Sequence, residues 1–215
     1  MTGRAARFLG KLRAATKPPT EASKRDQEMV TVVSGLPRSG TSMMMKMLEA
    51  GGIPPLTDEI RTPDRDNPKG YYEFERVKQL DKGDSAWLEE AQGKAVKVIA
   101  ALLKHLPPEY TYKVIFMRRD LKETLRSQKQ MLIRRGKDAD EESDAEMEVL
   151  FHKHLSHITG WLGQQPNFQI LYVSYNDILK NPIEQAQRVN RFLGTNLDVE
   201  EMAGVVDPNL YRQRR

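Results

Sequence analysis

The sequence predicts an α/β fold, a three-layer sandwich in which helices cover both faces of a central parallel sheet. Short runs of β-branched residues recur along the chain, segments without helix breakers separate them, and a glycine-rich turn follows the first run. Runs that are apolar on both faces are typical of buried strands in parallel sheets. Parallel strands need long crossover connections, and helices commonly provide them.

The first half of the chain alternates between these two kinds of segment. MVTVVS at 29–34 is predicted to be the first strand, and TSMMMKMLEAG at 41–51 the helix that follows it, because no breaker occurs before its terminal glycine. The next predicted elements are a loop rich in Pro, Asp and Arg, a helix, and a second strand with a following turn (53–70, 74–92 and 94–103).

The second half continues the alternation. A third strand is predicted at 112–117, followed by a helix at 120–136 that Asp120 caps. The acidic run at 138–148 is expected to be a solvated loop or a helix start. The remaining predicted elements are a helix, a fourth strand, and a helix that opens near Pro182 and closes at Gly194 (148–164, 167–175 and 181–194).

Composition limits the class of protein. With 215 residues, of which 39% are hydrophobic and 30% charged, the chain suits one globular domain with a sizeable core. It has no window of about 18 apolar residues that could span a membrane. The absence of cysteine excludes disulfides, thiolate nucleophiles and cysteine-based zinc sites. Because the N-terminus has no apolar stretch of the secretory type, the expected compartment is the cytoplasm.

The excess positive charge lies mostly at the ends of the chain, and the net charge is +4. The predicted organisation is a basic, flexible N-terminal arm at 1–27 and one domain at 28–215. Basic tails can hold nucleic acid or an anionic membrane surface. We expect no specific nucleic-acid binding, and weak membrane contact through the arm, with Phe8, Leu9 and Leu12, is a minor alternative.

A glycine-rich turn, GLPRSGTS at 35–42, follows the first predicted strand. The spacing from Gly35 to Gly40 is that of a phosphate-binding P-loop, in which backbone N–H groups and a helix N-terminus bind an anion. Thr41 stands where a nucleotide triphosphatase has lysine, and Ser42 adds a second hydroxyl. Arg38 would supply the cation that neutralises charge on a leaving oxygen.

A metal-dependent triphosphatase does not fit the other strand ends. The runs KVIFM and QILYV lead into Arg118-Arg119 and Ser174-Tyr175, so neither ends in the aspartate that would hold Mg²⁺. The turn therefore suits a phosphate anhydride that has neither a third phosphate nor a metal ion.

PRSGTS at 37–42 resembles the 5′-phosphosulfate loop of sulfotransferases, which bind 3′-phosphoadenosine 5′-phosphosulfate (PAPS). The arginine form is similar to that of tyrosylprotein sulfotransferases and many small bacterial members. The resemblance implies a P-loop-type sulfotransferase fold, PAPS as co-substrate and no metal ion. It also implies that the phosphosulfate lies against the loop and the helix start, which comprise Gly35, Arg38, Ser39, Gly40, Thr41 and Ser42.

FMRRDLKETLRSQ at 116–128 resembles the family's 3′-phosphate motif, in which a serine follows a strand-end arginine by eight residues. Arg119 and Ser127 have this spacing and are the implied ligands, because a guanidinium can fork onto a phosphate and a hydroxyl can donate to it. The family's proline is Leu121 here. Arg118 is the second candidate, since adjacent strand residues point to opposite sides.

YVSYNDILKNPIEQAQRVNRFLG at 172–194 resembles a third family element, a strand-Tyr-Glu-Asp-Leu sequence followed by Asn-Pro or Asp-Pro and a helix. The resemblance implies that Tyr175 contacts the adenine ring. The three elements occur in the family's order and extend from residue 30 to residue 194. They imply transfer of a sulfuryl group from PAPS to a hydroxyl or amine acceptor by in-line displacement.

In this family a base takes the proton of the acceptor. An ungapped count from Arg38 puts Glu59 where tyrosylprotein sulfotransferases have their glutamate; Glu73 is the second candidate and Asp58 the third. LLKHLPP superficially matches the stretch that carries a histidine base in cytosolic members, but His105 lies several residues past the predicted strand. The sequence therefore leaves the base open.

Two other functions are kept as alternatives: a P-loop nucleotide-binding or kinase-like protein, and a non-catalytic protein that kept the fold but lost its base. No motif specifies the acceptor, so carbohydrate, peptide, lipid and small-molecule acceptors all stay open. His152, His154 and His157 are better explained by an amphipathic helix than by a metal site, because no carboxylate of metal-site spacing accompanies them.

Overall fold

The computed structural model describes residues 29–58, 60, 72–134 and 144–207. Within them, four parallel strands form one sheet in the order β2-β1-β3-β4. The strands are β1 Met29–Gly35, β2 Ala95–Lys97, β3 Thr111–Arg118 and β4 Phe168–Ser174. The predicted parallel pairing of the four strands is confirmed.

Helices connect the strands. The α-helices are α1 Thr41–Ala50, α2 Leu121–Arg134, α3 Asp144–Leu162, α4 Tyr175–Lys180, α5 Pro182–Leu193 and α6 Val199–Gly204. Three 3₁₀ helices, Glu75–Lys82, Ala86–Glu89 and Ala100–His105, lie before and after β2. Helical segments therefore separate all four strands, as the alternation of the sequence predicts.

The sheet separates two hydrophobic cores. Val32 and Phe116 pack in a core that the 3₁₀ helices and α3 complete. Val33 and Met117 face a second core, which α1, α4, α5 and α6 complete. Neighbouring strand residues thus point to different cores, as the two-residue period of a strand requires. The predicted three-layer α/β architecture is confirmed.

The segment at 74–92 is helical, as predicted, but it forms two short 3₁₀ helices rather than one α-helix. Gly83 ends the first of them with a φ of 88°, which favours glycine. Asp84 then accepts a hydrogen bond from the Arg76 guanidinium at 2.7 Å, and its carbonyl accepts from Trp87 Nε1 at 3.0 Å. These contacts fix the break between the two helices.

Two short helices are missing from the prediction. α4 begins at Tyr175, which the sequence predicts as the end of a strand, and Ser174 Oγ caps it by accepting from the Asp177 N–H at 3.2 Å. α6 is capped in the same way by Asp198, which accepts from the Glu201 N–H at 3.0 Å. Helices of six residues are too short to give a clear apolar period.

Predicted helix ends are confirmed at two places. Asp120 Oδ1 accepts from the Glu123 N–H at 3.2 Å, which is the geometry of an N-cap. α5 starts at Pro182 and is followed by Gly194 with a φ of 68°.

The predicted arm at 1–27 and residues 138–143 of the acidic run lie outside the described residues, whereas 144–148 form the start of α3. In the part of the chain that is described, no helix combines the length and apolar character needed to cross a bilayer.

Candidate active site

The loop between β1 and α1 lies at the carboxyl edge of the sheet, beside the end of β3. β1 and β3 are adjacent parallel strands, with Gly35 opposite Met117 at the end of their ladder. β2 and β4 extend the sheet from this pair in opposite directions. In open α/β sheets, the crevice at such a switch point is the usual place for a ligand. The topology therefore brings the loop next to the two arginines at the end of β3.

The loop backbone depends on both of its glycines. Gly35 has a φ of 147° and Gly40 a φ of 97°. A Cβ atom on Gly35 would lie 2.5 Å from Ser39 Oγ and 2.7 Å from the backbone oxygen of Met117. A Cβ atom on Gly40 would lie 2.5 Å from the ring of Tyr175. Side chains at either position would block these close approaches.

Helix α1 begins at Thr41, and Ser42 is its second residue. The first N–H groups of a helix have no acceptor within it and carry the positive end of the helix dipole. An anion in the loop would therefore meet backbone donors and the two hydroxyl-bearing residues together.

Arg38 connects the loop to helix α2. It has a φ of 69°, an uncommon backbone conformation for a residue other than glycine. Its Nε donates to Ser127 Oγ at 3.0 Å, and its carbonyl accepts from Arg119 Nη1 at 3.2 Å. The residue assigned from sequence to the 5′-phosphosulfate thus contacts both residues assigned to the 3′-phosphate.

The two consecutive arginines stack on different tyrosines. Arg118 Cζ lies 3.7 Å from the ring centroid of Tyr172, and Arg119 Cζ lies 4.5 Å from that of Tyr175. The Arg119 side chain is 8% exposed, and its Nε lies 3.2 Å from Oε2 of Glu123, which is 2% exposed. Arg119 therefore shares its side of the sheet with the tyrosine assigned to adenine, and Arg118 does not.

Two charged residues that the sequence analysis does not single out lie close to this region. Glu123 pairs with Arg119, and Lys97 Nζ lies 3.6 Å from Glu73 Oε1. The spacing could have indicated Glu123, because it stands four residues before Ser127 in the same predicted helix, and residues at this spacing share a helix face. Lys97 has no comparable signal, since its partner comes from a distant loop.

A cleft of about 410 Å³ opens between the loop, the start of α2 and helix α3. Ser39 lines this cleft, is 2% exposed, and has no hydrogen-bond partner for its Oγ among the described residues. Arg118, Asp120, Glu148 and His152 contribute charged or polar groups to the wall. Buried hydroxyl groups normally have a hydrogen-bond partner, so a ligand atom or a water molecule is expected beside Ser39 Oγ.

Glu73 is the best-defined of the candidate bases. Its side chain is 19% exposed, and its carboxylate oxygens lie 3.6 Å from Lys97 Nζ and 3.8 Å from Lys78 Nζ. Lys97 is opposite Val33 near the end of β1, so Glu73 lies at the same edge of the sheet as the loop. Glu59, the first candidate by sequence, lies outside the described residues.

Asp58 and His105, the other described candidates for the base, lie in surroundings that differ from those of Glu73. Both carboxylate oxygens of Asp58 accept backbone hydrogen bonds, from Ile60 at 3.2 Å and from Glu75 at 2.6 Å, so this carboxylate organises its own loop. His105 ends the third 3₁₀ helix, beyond the end of β2. Burial, and then the hydrogen-bonded Glu49 carboxylate, raise the pKa of the Tyr72 hydroxyl above its ordinary range, so the phenol stays protonated.

The histidines of α3 lie on a helix, as predicted. Within residues 29–58, 60, 72–134 and 144–207, no group of three His, Cys, Asp or Glu side chains is arranged to hold a metal ion.

Sequence comparison identifies relatives of the chain. Residues 29–211 match the sulfotransferase domain family. A segment of 50 residues is 36% identical to sulfotransferase 1C2 of Rattus norvegicus, and it covers 23% of this chain and 17% of that protein. The match to the rat protein thus spans about a sixth of its length.

Two solved structures share the fold. The sulfotransferase domain from the Synechococcus PCC 7002 olefin synthase aligns with a TM-score of 0.51 at 15% identity, over 96% of this chain and 87% of that one. Mouse sulfotransferase SULT7A1, in complex with PAP, aligns with a TM-score of 0.53 at 20% identity, over 83% of this chain and 62% of that one. Since the family match extends through all four strands, the chain belongs to the sulfotransferase domain family and has its P-loop-type fold.

Proposed function

We propose that this domain transfers a sulfuryl group from PAPS to a hydroxyl or amine acceptor. The observation that carries the proposal is the hydrogen bond from Arg38 Nε to Ser127 Oγ, 3.0 Å long, which joins the phosphate-binding loop to helix α2. PAPS has an anionic group at each end of its ribose, and these two elements offer cationic and hydroxyl groups side by side. The PAP complex of mouse SULT7A1, which shares the fold, supports the same ligand chemistry.

In the proposal, the loop and the start of α1 hold the 5′-phosphosulfate. Backbone N–H groups between Gly35 and Ser42 and the hydroxyls of Ser39, Thr41 and Ser42 donate to its oxygens. The buried Oγ of Ser39, which has no hydrogen-bond partner in the described part of the chain, supports this use of the loop. Arg38 neutralises the charge that develops on the leaving phosphate oxygen.

The 3′-phosphate binds to Arg119 and Ser127. The Ser127 hydroxyl accepts from Arg38, and a hydroxyl that accepts can also donate its own proton to a phosphate oxygen. Arg119 is nearly buried, where a guanidinium–phosphate contact is weakly screened by solvent. Tyr175, stacked with Arg119, adjoins the adenine ring.

The chemical step is an in-line displacement at sulfur. The acceptor oxygen or nitrogen forms a bond to sulfur while the bond between sulfur and the 5′-phosphate oxygen breaks. The acceptor proton passes to a carboxylate base, and the products are the sulfated acceptor and 3′-phosphoadenosine 5′-phosphate (PAP). Among the described candidates we assign the base to Glu73, because the Asp58 oxygens are both engaged by backbone N–H groups. Glu59 is the other candidate.

Ligand preference tests the co-substrate. In calorimetric titrations, PAP is expected to bind with a Kd of about a micromolar or tighter, unchanged by EDTA, and Arg119→Ala is expected to remove the preference for PAP over ADP. The physical reason is that the proposed ligands are side chains and backbone donors rather than a metal ion. Binding of ATP with Mg²⁺ but not of PAP would instead favour the nucleotide-binding or kinase-like alternative.

Glu73→Gln tests the assigned base. Turnover, followed as PAP release in a screen of hydroxyl and amine acceptors, is expected to fall about 10²–10⁴-fold, because the amide cannot take the acceptor proton. PAP affinity is expected to stay within about twofold, since no contact with the nucleotide is assigned to this residue. Glu75→Gln, two residues away on the more exposed surface, is the matched control. Full turnover in Glu73→Gln and its loss in Glu59→Gln would transfer the role to Glu59.

A further inference from the structure

We propose that Glu123 is a positioning residue, which holds the Arg119 guanidinium in the orientation that recognises the 3′-phosphate. This inference rests on the proposed use of PAPS. Glu123 Oε2 lies 3.2 Å from Arg119 Nε, and the two side chains are 2% and 8% exposed. Two opposite charges buried to this degree stabilise each other, because removing one weakens the charge compensation of the other.

The guanidinium plane is fixed by contacts on two different nitrogens. Nε donates to Glu123, and Nη1 donates to the carbonyl of Arg38 at 3.2 Å. A guanidinium has five N–H donors, so these two contacts do not by themselves exhaust it. Because both acceptors belong to ordered elements, the group can meet a phosphate without losing much further conformational freedom.

Helix α2 holds the backbone of Glu123 in place. The Glu123 N–H donates to the N-cap residue, Asp120 Oδ1, at 3.2 Å, and Leu121 and Leu125 of the same turns are buried. The spacing of four residues puts Glu123 on the helix face that also presents Ser127, which is 8% exposed. Glu123 therefore contacts one proposed ligand of the 3′-phosphate, Arg119, and shares a helix face with the other, Ser127.

Charge and orientation make opposite predictions for this residue. A carboxylate near a phosphate dianion repels it, so a purely electrostatic Glu123 would weaken PAP binding, and its neutralisation would tighten it. If Glu123 instead orients Arg119, removing the Glu123 carboxylate weakens PAP binding, because the Arg119 guanidinium no longer keeps the binding geometry. The sign of the change in selectivity for the 3′-phosphate separates the two roles.

The test uses the ratio of Kd values for AMP and PAP, since the two ligands differ only in the 3′-phosphate. Glu123→Asp keeps the charge but withdraws the carboxylate, and is expected to lower this ratio about tenfold or more. Glu123→Gln keeps the shape and one accepting oxygen, and is expected to stay within about threefold of the wild type. Adding Glu123→Asp to Arg119→Ala is expected to change nothing further, as in a double-mutant cycle with full coupling.

Glu184→Asp, the same change at an exposed position of α5, is the control. A merely structural Glu123 would weaken AMP and PAP together, and that outcome overturns the proposal. So does a tightening of PAP binding in Glu123→Gln, which remains measurable if Glu123→Asp fails to fold. If the wild type shows no preference for PAP, the proposed function fails as well. If the wild type prefers PAP to AMP and neither Glu123 variant changes that preference, only the positioning role of Glu123 fails.

Discussion

Arg38→Ala is expected to lower turnover about 10²–10³-fold, which is the usual loss when one group that stabilises developing charge is removed. The reason is the position of Arg38 in the loop, where its guanidinium reaches Ser127 and would meet the bridging oxygen of the leaving phosphate. The measurement is single-turnover transfer from PAPS to an acceptor found in the screen. PAP affinity is expected to fall much less than the rate, because the charge that Arg38 neutralises is largest in the transition state.

Two further variants sharpen this prediction. Arg38→Lys keeps the charge but loses the planar fork, so its rate is expected to lie between those of the wild type and the alanine variant. Arg126→Ala removes an exposed arginine of α2 and is the control for net charge. An equal loss of rate and PAP affinity in Arg38→Ala would mean that Arg38 only binds the co-substrate.

Gly35→Ala is expected to destabilise the fold by about 2–4 kcal/mol, as the sum of backbone strain and a steric clash. The added Cβ would lie 2.7 Å from the Met117 carbonyl oxygen, which belongs to the backbone of an inner strand and cannot move as a side chain can. PAP binding is expected to be lost with the loop geometry. Urea denaturation gives the stability change, and calorimetry the affinity.

Gly52→Ala is a matched control for that variant. Gly52 also has a positive φ, 107°, but an added Cβ would have no atom within 4 Å. Gly52→Ala is therefore expected to lower the free energy of unfolding only through backbone strain, by about 1–2 kcal/mol. Equal destabilisation of the two variants would contradict the role assigned to the close approach at Met117.

The strands could be predicted from sequence because their chemistry is local. β1, β3 and β4 are β-branched or aromatic runs long enough to stand out, and each side chain faces a core that the period of two defines. The region at 74–92 could not be predicted as well, because Val77, Leu80, Trp87 and Leu88 fit the apolar spacing of an α-helix. Their actual 3₁₀ geometry depends on Gly83 and on the pairing of Arg76 with Asp84.

The site shows the same division. Motif spacing favours Arg119 over Arg118 as a ligand, which stays a prediction, and the loop glycines are evident from the P-loop pattern. The pairing of Glu73 with Lys97 could not be predicted, because it joins a loop to the end of β2 through space. Glu123 also went unrecognised, since charged residues near a helix start usually face solvent and their burial is a tertiary property.

The end of β3 carries a consequence for how this protein can vary. Arg118 and Arg119 are chemically identical neighbours, and only the alternation of the strand sends one to Tyr172 and the other to Tyr175. A deletion of one residue inside β3 that leaves the start of the strand in register would bring Arg119 to the place of Arg118 and Asp120 to the place of Arg119. It would also shift Glu123 and Ser127 by about 100° around α2. Substitutions are thus easier to accommodate here than changes in length. Because side chains alternate between the two faces of a strand, the number of residues in β3 constrains its variation as much as the identity of its side chains does.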